Sequence, residues 1–270
     1  MTEETELTEV QNTQVTVPDF MKDSVDHSAG AMTEFIRPNR IRCLQSLSDL
    51  VKERHYHAGD IIALPLKQMI APVKLNEQGA PTKTGEPFHI VPIYFYPEYI
   101  TWNPRGSKKA IRERTTDPNS EIAKKARNPE TREETIDSEK VKHQEHLNFI
   151  VMVIDAPGFE NMAMSLSYSK SEWLTGSNLC TLIRSRQAPS YGCIFKAQAN
   201  MRTNSEGEWY GIDVSNPDSN QSAFVENKEQ FEAYEKLHDQ FHKAYEKGLI
   251  DIGHDEEPAP SQEREGDIPF

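Results

Sequence analysis

Three aromatic residues, Tyr94, Tyr96 and Trp102, run directly into a basic stretch that holds Arg105, Lys108, Lys109, Arg112 and Arg114. Ring faces stack on any nucleobase and cations neutralise phosphates, so this pairing suits sequence-independent binding of one nucleic-acid strand. Residues 102 to 127 carry eight bases against three acids. A second positive stretch, 184 to 202, has Arg184, Arg186, Lys196 and Arg202 and no acid, with Tyr191 and Phe195 between them. Arg37, Arg40 and Arg42 make a third. The bland alternative is cross-strand or helix packing for Tyr94 and Tyr96 and a solvated loop for the basic residues. The residue types alone leave both open.

The chain ends Asp267-Ile268-Pro269-Phe270 after an acidic stretch. A terminal Phe offers a ring and a carboxylate together at low ordering cost, which suits docking into a pocket with a basic rim. This tip resembles the C-terminal tip of bacterial single-stranded-DNA-binding proteins. The resemblance implies that Phe270 enters a pocket on a replication or recombination partner, that a basic side chain there takes the α-carboxylate, and that the preceding acids steer the encounter. It covers only the tail, whose connecting segment is shorter than that family's Gly- and Gln-rich linkers. The length and acidic ends of the whole chain are more similar to diverged bacteriophage single-stranded-DNA-binding proteins.

Other chemistry finds little support. There is no Gly-rich phosphate loop, no Gly-x-Ser-x-Gly elbow and no acidic cluster with metal-nuclease spacing, so no catalytic residue is assigned. His143 and His146 lack the Cys-x-x-Cys or His-Glu-x-x-His context of a zinc site, and no metal or cofactor is expected. Asp155 and Asp213 read as turn residues after strands, and Trp173 and Trp209 as core. Cys43, Cys180 and Cys193 are odd in number and far apart, which fits buried thiols in a reducing compartment. The acidic N-terminus is unlike a secretory signal and no run reaches the roughly 18 apolar residues of a membrane span, so a cytoplasmic protein with no membrane partner is expected.

The expected function is therefore non-enzymatic coating of single-stranded DNA in phage replication, recombination or repair, with recruitment through the tail. Two alternatives are a tail-bearing adaptor or transcription regulator that binds no DNA, and a strand-annealing or nuclease protein.

The net charge of −13 is unevenly placed. Residues 1 to 34 hold eight acids and one base, residues 248 to 270 hold seven acids and one base, and the remainder carries 28 of each sign. The acidic pI thus reports two ends rather than the body. The polar composition of 1–34 and 248–270 predicts disordered acidic tails around a domain at 35–247, with a charged insertion near 103–145.

The positions that matter must be held by strands. Alternating or continuous apolar runs predict strands over Ile36–Gln45, Ile61–Leu66, Met69–Leu75, Phe88–Trp102, Leu147–Ile154, Met162–Tyr168, Tyr191–Met201 and Glu208–Val214. In the fourth, Val91, Ile93 and Phe95 are expected inside a barrel, and Tyr94, Tyr96 and Trp102 outside. Short helices are expected from Ser48 to Arg54 and from Ser169 to Ile183. Spacings of three and four among Phe231, Tyr234, Leu237, Phe241 and Tyr245 predict an amphipathic helix over Asn227–Lys247. The fold class is mainly β with helical insertions (α+β), an OB-like small barrel closed by that helix; a β-sandwich is the alternative.

Overall fold

The computed structural model describes residues 38–250, apart from 105, 160, 161 and 206. The elements are β1 (Asn39–Cys43), α1 (Asp49–Lys52), β2 (Ile61–Leu64), β3 (Gln68–Ala71), β4 (Val73–Leu75), β5 (Pro81–Gly85), β6 (Phe88–Trp102) and β7 (Ile111–Thr115). There follow α2 (Glu121–Arg127), β8 (Glu133–Ile136), β9 (Glu139–Val153), β10 (Ala163–Ser169), α3 (Trp173–Ser185), β11 (Phe195–Asn204), β12 (Gly207–Ser215) and α4 (Lys228–Glu246). The arm at 1–34, most of the 248–270 tail, Arg37, Arg105 and the Asp267–Phe270 tip lie outside the described residues.

The sheet runs β3-β2-β1-β10-β9-β6-β11-β5-β4. Only Pro72 separates the last strand from the first, so the sheet curls into a nearly closed OB-like barrel. Proline ends one ladder and starts the next because it donates no hydrogen bond. The seam is tied by Asp60, 1% exposed, whose carboxylate accepts from the His57 and Val73 amides at 2.7 Å each. Gln45 links the end of β1 to β12 as a strand backbone would: Nε2 donates to the Tyr210 carbonyl at 2.7 Å and Oε1 accepts from its amide at 2.9 Å. Gly59, at φ +95°, permits the turn before β2 and leaves the Tyr210 ring where a Cβ would stand 2.7 Å away.

Inside lie Ile41, Ile61, Phe88, Ile90, Phe149, Val151, Leu166, Tyr168 and Phe195, none more than 6% exposed. A second cluster lies outside the barrel, where Tyr234, Leu237, Phe241 and Tyr245 of α4 pack on Val91, Ile93, Tyr96, Ile150 and Met152. Burying each such apolar side chain contributes about 1.5–3 kcal/mol. Asn227 caps α4, its side chain accepting from the Gln230 amide at 2.9 Å.

This corrects the alternation expected for β6. Its register against β9 steps from Pro92↔Val151 to Tyr94↔Ile150, so Ile93 is the extra residue of a bulge. Phe88 and Ile90 therefore face the barrel, while Val91 and Ile93 join Tyr96 beneath α4. Phe95 returns to the barrel side, 38% exposed, its ring 4.9 Å from that of Phe149.

The stretch from 103 to 145 is also more ordered than an excursion. β7, β8 and the first half of β9 prolong the ladder, and α2 packs Ile122, Ala123 and Ala126 on Tyr99. Pro104, Pro118 and Pro129 fall between these elements rather than within them. The expected cap at Ser48 is different in kind, since its hydroxyl accepts from the Gln45 amide and makes no bond to α1.

Candidate functional site

Strand alternation places side chains on one sheet face whenever their Cα positions pair across the ladder. From β1 to β7 the pairings Arg40↔Ser165, Ser167↔Asn148, Tyr96↔Asn148, Glu98↔His146, Ile100↔Gln144, Trp102↔Lys142 and Ile100↔Arg114 define one outer face. Arg42, two residues from Arg40, shares it. The face thus holds Arg40, Arg42 and Arg114, two aromatics, Tyr96 and Trp102, and a polar centre of Ser165, Ser167, Asn148, His146 and Gln144. Glu98 is the acid among the positions in these pairings. Lys108 and Lys109 sit exposed on the β6–β7 hairpin just past Trp102.

The centre is dry. Ile100 and Asn148 are 0% exposed and Ser165 is 1%. Asn148 donates to Glu98 at 3.4 Å and accepts from Ser167 at 2.7 Å. Ser165 Oγ and Gln144 Oε1 are buried without a hydrogen-bond partner among the described residues, an arrangement that needs an explanation in a native fold. The Trp102 ring lies 5.9 Å from His146. A cavity of ≈ 200 Å³ opens beside the face where β1 and β10 separate, lined by Arg40, Arg42, Ser165, Ser167, Tyr168 and Glu172.

The aromatic residues are less open than the sequence suggests. Tyr96 is 3% exposed and lies 5.7 Å from the Tyr245 ring. Tyr94 is half-buried, its hydroxyl 3.2 Å from His242 Nδ1; burial, then Tyr245 and Glu246, raise its pKa. Tyr191 meets the same helix, with its ring 5.1 Å from His238 and its hydroxyl donating to Glu235 at 3.2 Å. Free aromatic platforms are thus corrected to rings packed against α4, because the bulge and the apolar stripe of the helix claim the same patch.

The basic residues divide into two groups. Lys196 pairs with His89 near the start of β6, whereas Trp102 ends that strand, thirteen residues and roughly 40 Å away at about 3.3 Å per residue. Arg184, Arg186, Tyr191 and Lys196 therefore do not join the face described above. Lys196 is held by Asp218 at 2.5 Å, and Arg186 by Asn216 at 2.8 Å with its guanidinium over Phe195 and Phe224. Arg112 is the bulged residue of β7 and pairs with Asp137 at 2.8 Å. Arg202 is spent on Glu172 and Asp213.

His143 and His146 occupy opposite faces of β9, so they do not converge on one ion. His143, 2% exposed, lies 2.9 Å from Thr101 Oγ1 through Nδ1 and 2.9 Å from Glu134 through Nε2. Lys125 meets the same Glu134 at 2.5 Å and, with His143, lowers its pKa. These groups line a second cavity, ≈ 240 Å³, under α2. Thr101 is 2% exposed, and the chain of contacts ties α2 and β8 to the ladder rather than presenting a nucleophile. Among the described residues no group of three or more His, Cys, Asp or Glu side chains is placed to hold a metal. Cys43, Cys180 and Cys193 are free thiols, and burial pushes Cys180 up to about 11. No helix among the described residues is long and apolar enough to cross a membrane.

Sequence reasoning missed Gln144, His146, Asn148, Ser165 and Ser167. The signal on β9 was a period of two in polar residues, Lys142, Gln144, His146 and Asn148, and on β10 the alternation of Ser165 and Ser167 with Met164, Leu166 and Tyr168.

A family model described as Pam3 phage gp34-like protein matches residues 9–247. No curated protein and no solved structure matches the chain.

Proposed function

The chain belongs to the Pam3 phage gp34-like family, and from that premise we propose that this phage protein binds single-stranded DNA and recruits partners through its C-terminal tip. The observation that carries the reading is the register that collects Arg40, Arg42, Arg114 and Trp102 on one outer face, while Tyr94 and Tyr96, first expected to stack bases, pack under α4. Guanidinium groups meet phosphates, the Trp102 ring stacks a base, and the hydrogen-bond capacity of Ser165 and Gln144 supports a polar ligand. Lys108 and Lys109 extend the track past Trp102. Arg105, Arg112, Arg184, Arg186, Tyr191 and Lys196 are retained only as contacts for a longer strand. No catalytic step or cofactor is part of the reading, and replication, recombination or repair in the host cytoplasm is the proposed setting.

Asp267, Ile268, Pro269 and Phe270 are proposed to dock on a replication or recombination protein, on the strength of their resemblance to the bacterial tip. A gel shift with a labelled single-stranded oligonucleotide, with and without magnesium, tests the whole reading. Retardation without cleavage supports it. No shift points instead to a tail-bearing adaptor, and shortened DNA to a nuclease.

A further inference from the structure

β1 pairs with β10 only as far as Arg40↔Ser165. Beyond that pair the strands separate, and Gln45 ties the end of β1 to Tyr210 of β12 instead. The ≈ 200 Å³ cavity occupies this gap. Ser165 borders it from the outer side of β10, and Tyr168, which alternates to the barrel interior, borders it from within. Glu172, just ahead of α3, borders it with a carboxylate seated against Gly211 of β12, where a Cβ would collide with Oε2.

Three buried side-chain atoms on this one cavity, Ser165 Oγ, Tyr168 Oη and Glu172 Oε2, have no hydrogen-bond partner among the described residues. Ser165 is 1% and Tyr168 2% exposed, so bulk water does not compensate them, and a native fold rarely leaves such groups together unmet. Glu172 Oε1, by contrast, accepts from Arg202 at 2.6 Å and from the Trp209 indole at 3.0 Å, which holds the carboxylate in place with its second oxygen unused. Burial, then the charge of Glu172, raises the Tyr168 phenol well above its ordinary value, so its O–H stays available as a donor.

Resting on the DNA-binding reading above, we propose that this cavity takes one pyrimidine base, presented unstacked by the bound strand. The base donates an N–H to Glu172 Oε2, and its acceptors take the hydroxyl protons of Tyr168 and Ser165. Ile41, Leu166 and Ile212 supply apolar wall for the ring. Size selects the class of base: a cavity of about 150 Å³ holds the six ring atoms of benzene, so ≈ 200 Å³ has room for about eight or nine, enough for a pyrimidine and too few for a purine. A strand that is already single gives up a base at the least unstacking cost.

The test uses the full chain and two variants, Tyr168→Phe and Ser165→Ala, which remove only hydroxyls that lack a partner among the described residues. Their thermal melts should hold or rise, while affinity for short oligo(dT) and oligo(dC) falls severalfold and affinity for oligo(dA) does not change. An oligo(dT) strand with 5-bromouracil at one position, irradiated on the unaltered protein, should cross-link to Tyr168 or Tyr210 by mass spectrometry. Free dTMP offers the same base without a strand, and calorimetry should show it binding the unaltered protein and not Tyr168→Phe. If both variants keep full oligo(dT) affinity and cross-links fall only outside the cavity, the pocket is overturned and the DNA reading stands. Binding of dTMP that Tyr168→Phe abolishes, with no oligonucleotide bound, keeps the pocket and overturns the DNA reading. Binding of neither probe overturns both, and lowered melts in both variants would mean that the hydroxyls are already satisfied within the fold, which also overturns the pocket.

Discussion

Replacing Arg40, Arg42 and Arg114 together by Gln should change the salt dependence of single-strand binding by an amount the face itself sets. All three project outward from β1 and β7, so the barrel interior is untouched. Each phosphate contact contributes about −0.7 to the slope of log affinity against log salt, so losing three should flatten the slope by about 2. Between about 50 and 200 mM salt, the unaltered protein should then lose roughly 18-fold more affinity than the variant. Fluorescence anisotropy of a short labelled oligonucleotide across that salt range measures it, with a thermal melt to show that the variant is folded. The Arg184→Gln, Arg186→Gln pair, at the other end of β6, is the control and should leave the short-oligonucleotide slope unchanged. A folded triple variant with the original slope would place the strand elsewhere and refute the reasoning.

Trp102→Ala should weaken single-strand binding by about 1–3 kcal/mol if its ring stacks a base; a folded variant with unchanged affinity returns Trp102 to a packing role beside His146. Phe270→Ala keeps every charge, so DNA affinity should hold while pull-down of host or phage replication proteins fails; full recovery of partners would make the tip irrelevant. Burial raises the Glu172 carboxyl above its ordinary range, against the pull of Trp209 and Arg202. Its folded-state value thus exceeds its unfolded one, and its contribution to stability falls as pH rises from about 4.3 through the folded value. Denaturant titrations should therefore show the unaltered protein gaining on Glu172→Gln as pH drops from about 7 to about 4.5, and the opposite trend would reject the assignment. Limited proteolysis should trim residues 1 to 34 and the segment after about 248 and spare the body; protection of Glu3 through Asp26 would move that boundary.

The sequence by itself determined the elements whose signals are local. β6 spans Phe88–Trp102 as read, because a run of β-branched and aromatic residues of that length has no competing helical period. α4 spans Lys228–Glu246, within a residue of the expected helix, because Phe231, Tyr234, Leu237 and Phe241 repeat at helical spacing and Asn227 caps it. The barrel class followed from many short strands between turns. What only the tertiary structure decided was which face each residue shows. One bulged residue, Ile93, moves Val91 from the barrel to the helix side, and a slip of one position exchanges faces for everything that follows. The order β1-β10-β9-β6-β7 is likewise set by pairings of very different sequence separation, and its β1–β10 step joins residues more than a hundred positions apart. Arg40 meets Ser165 across one such pairing, and Arg114 reaches the same face through a separate local hairpin. Three positive segments that look alike in sequence become one shared face and one remote cluster, because proximity across a sheet depends on register and not on composition.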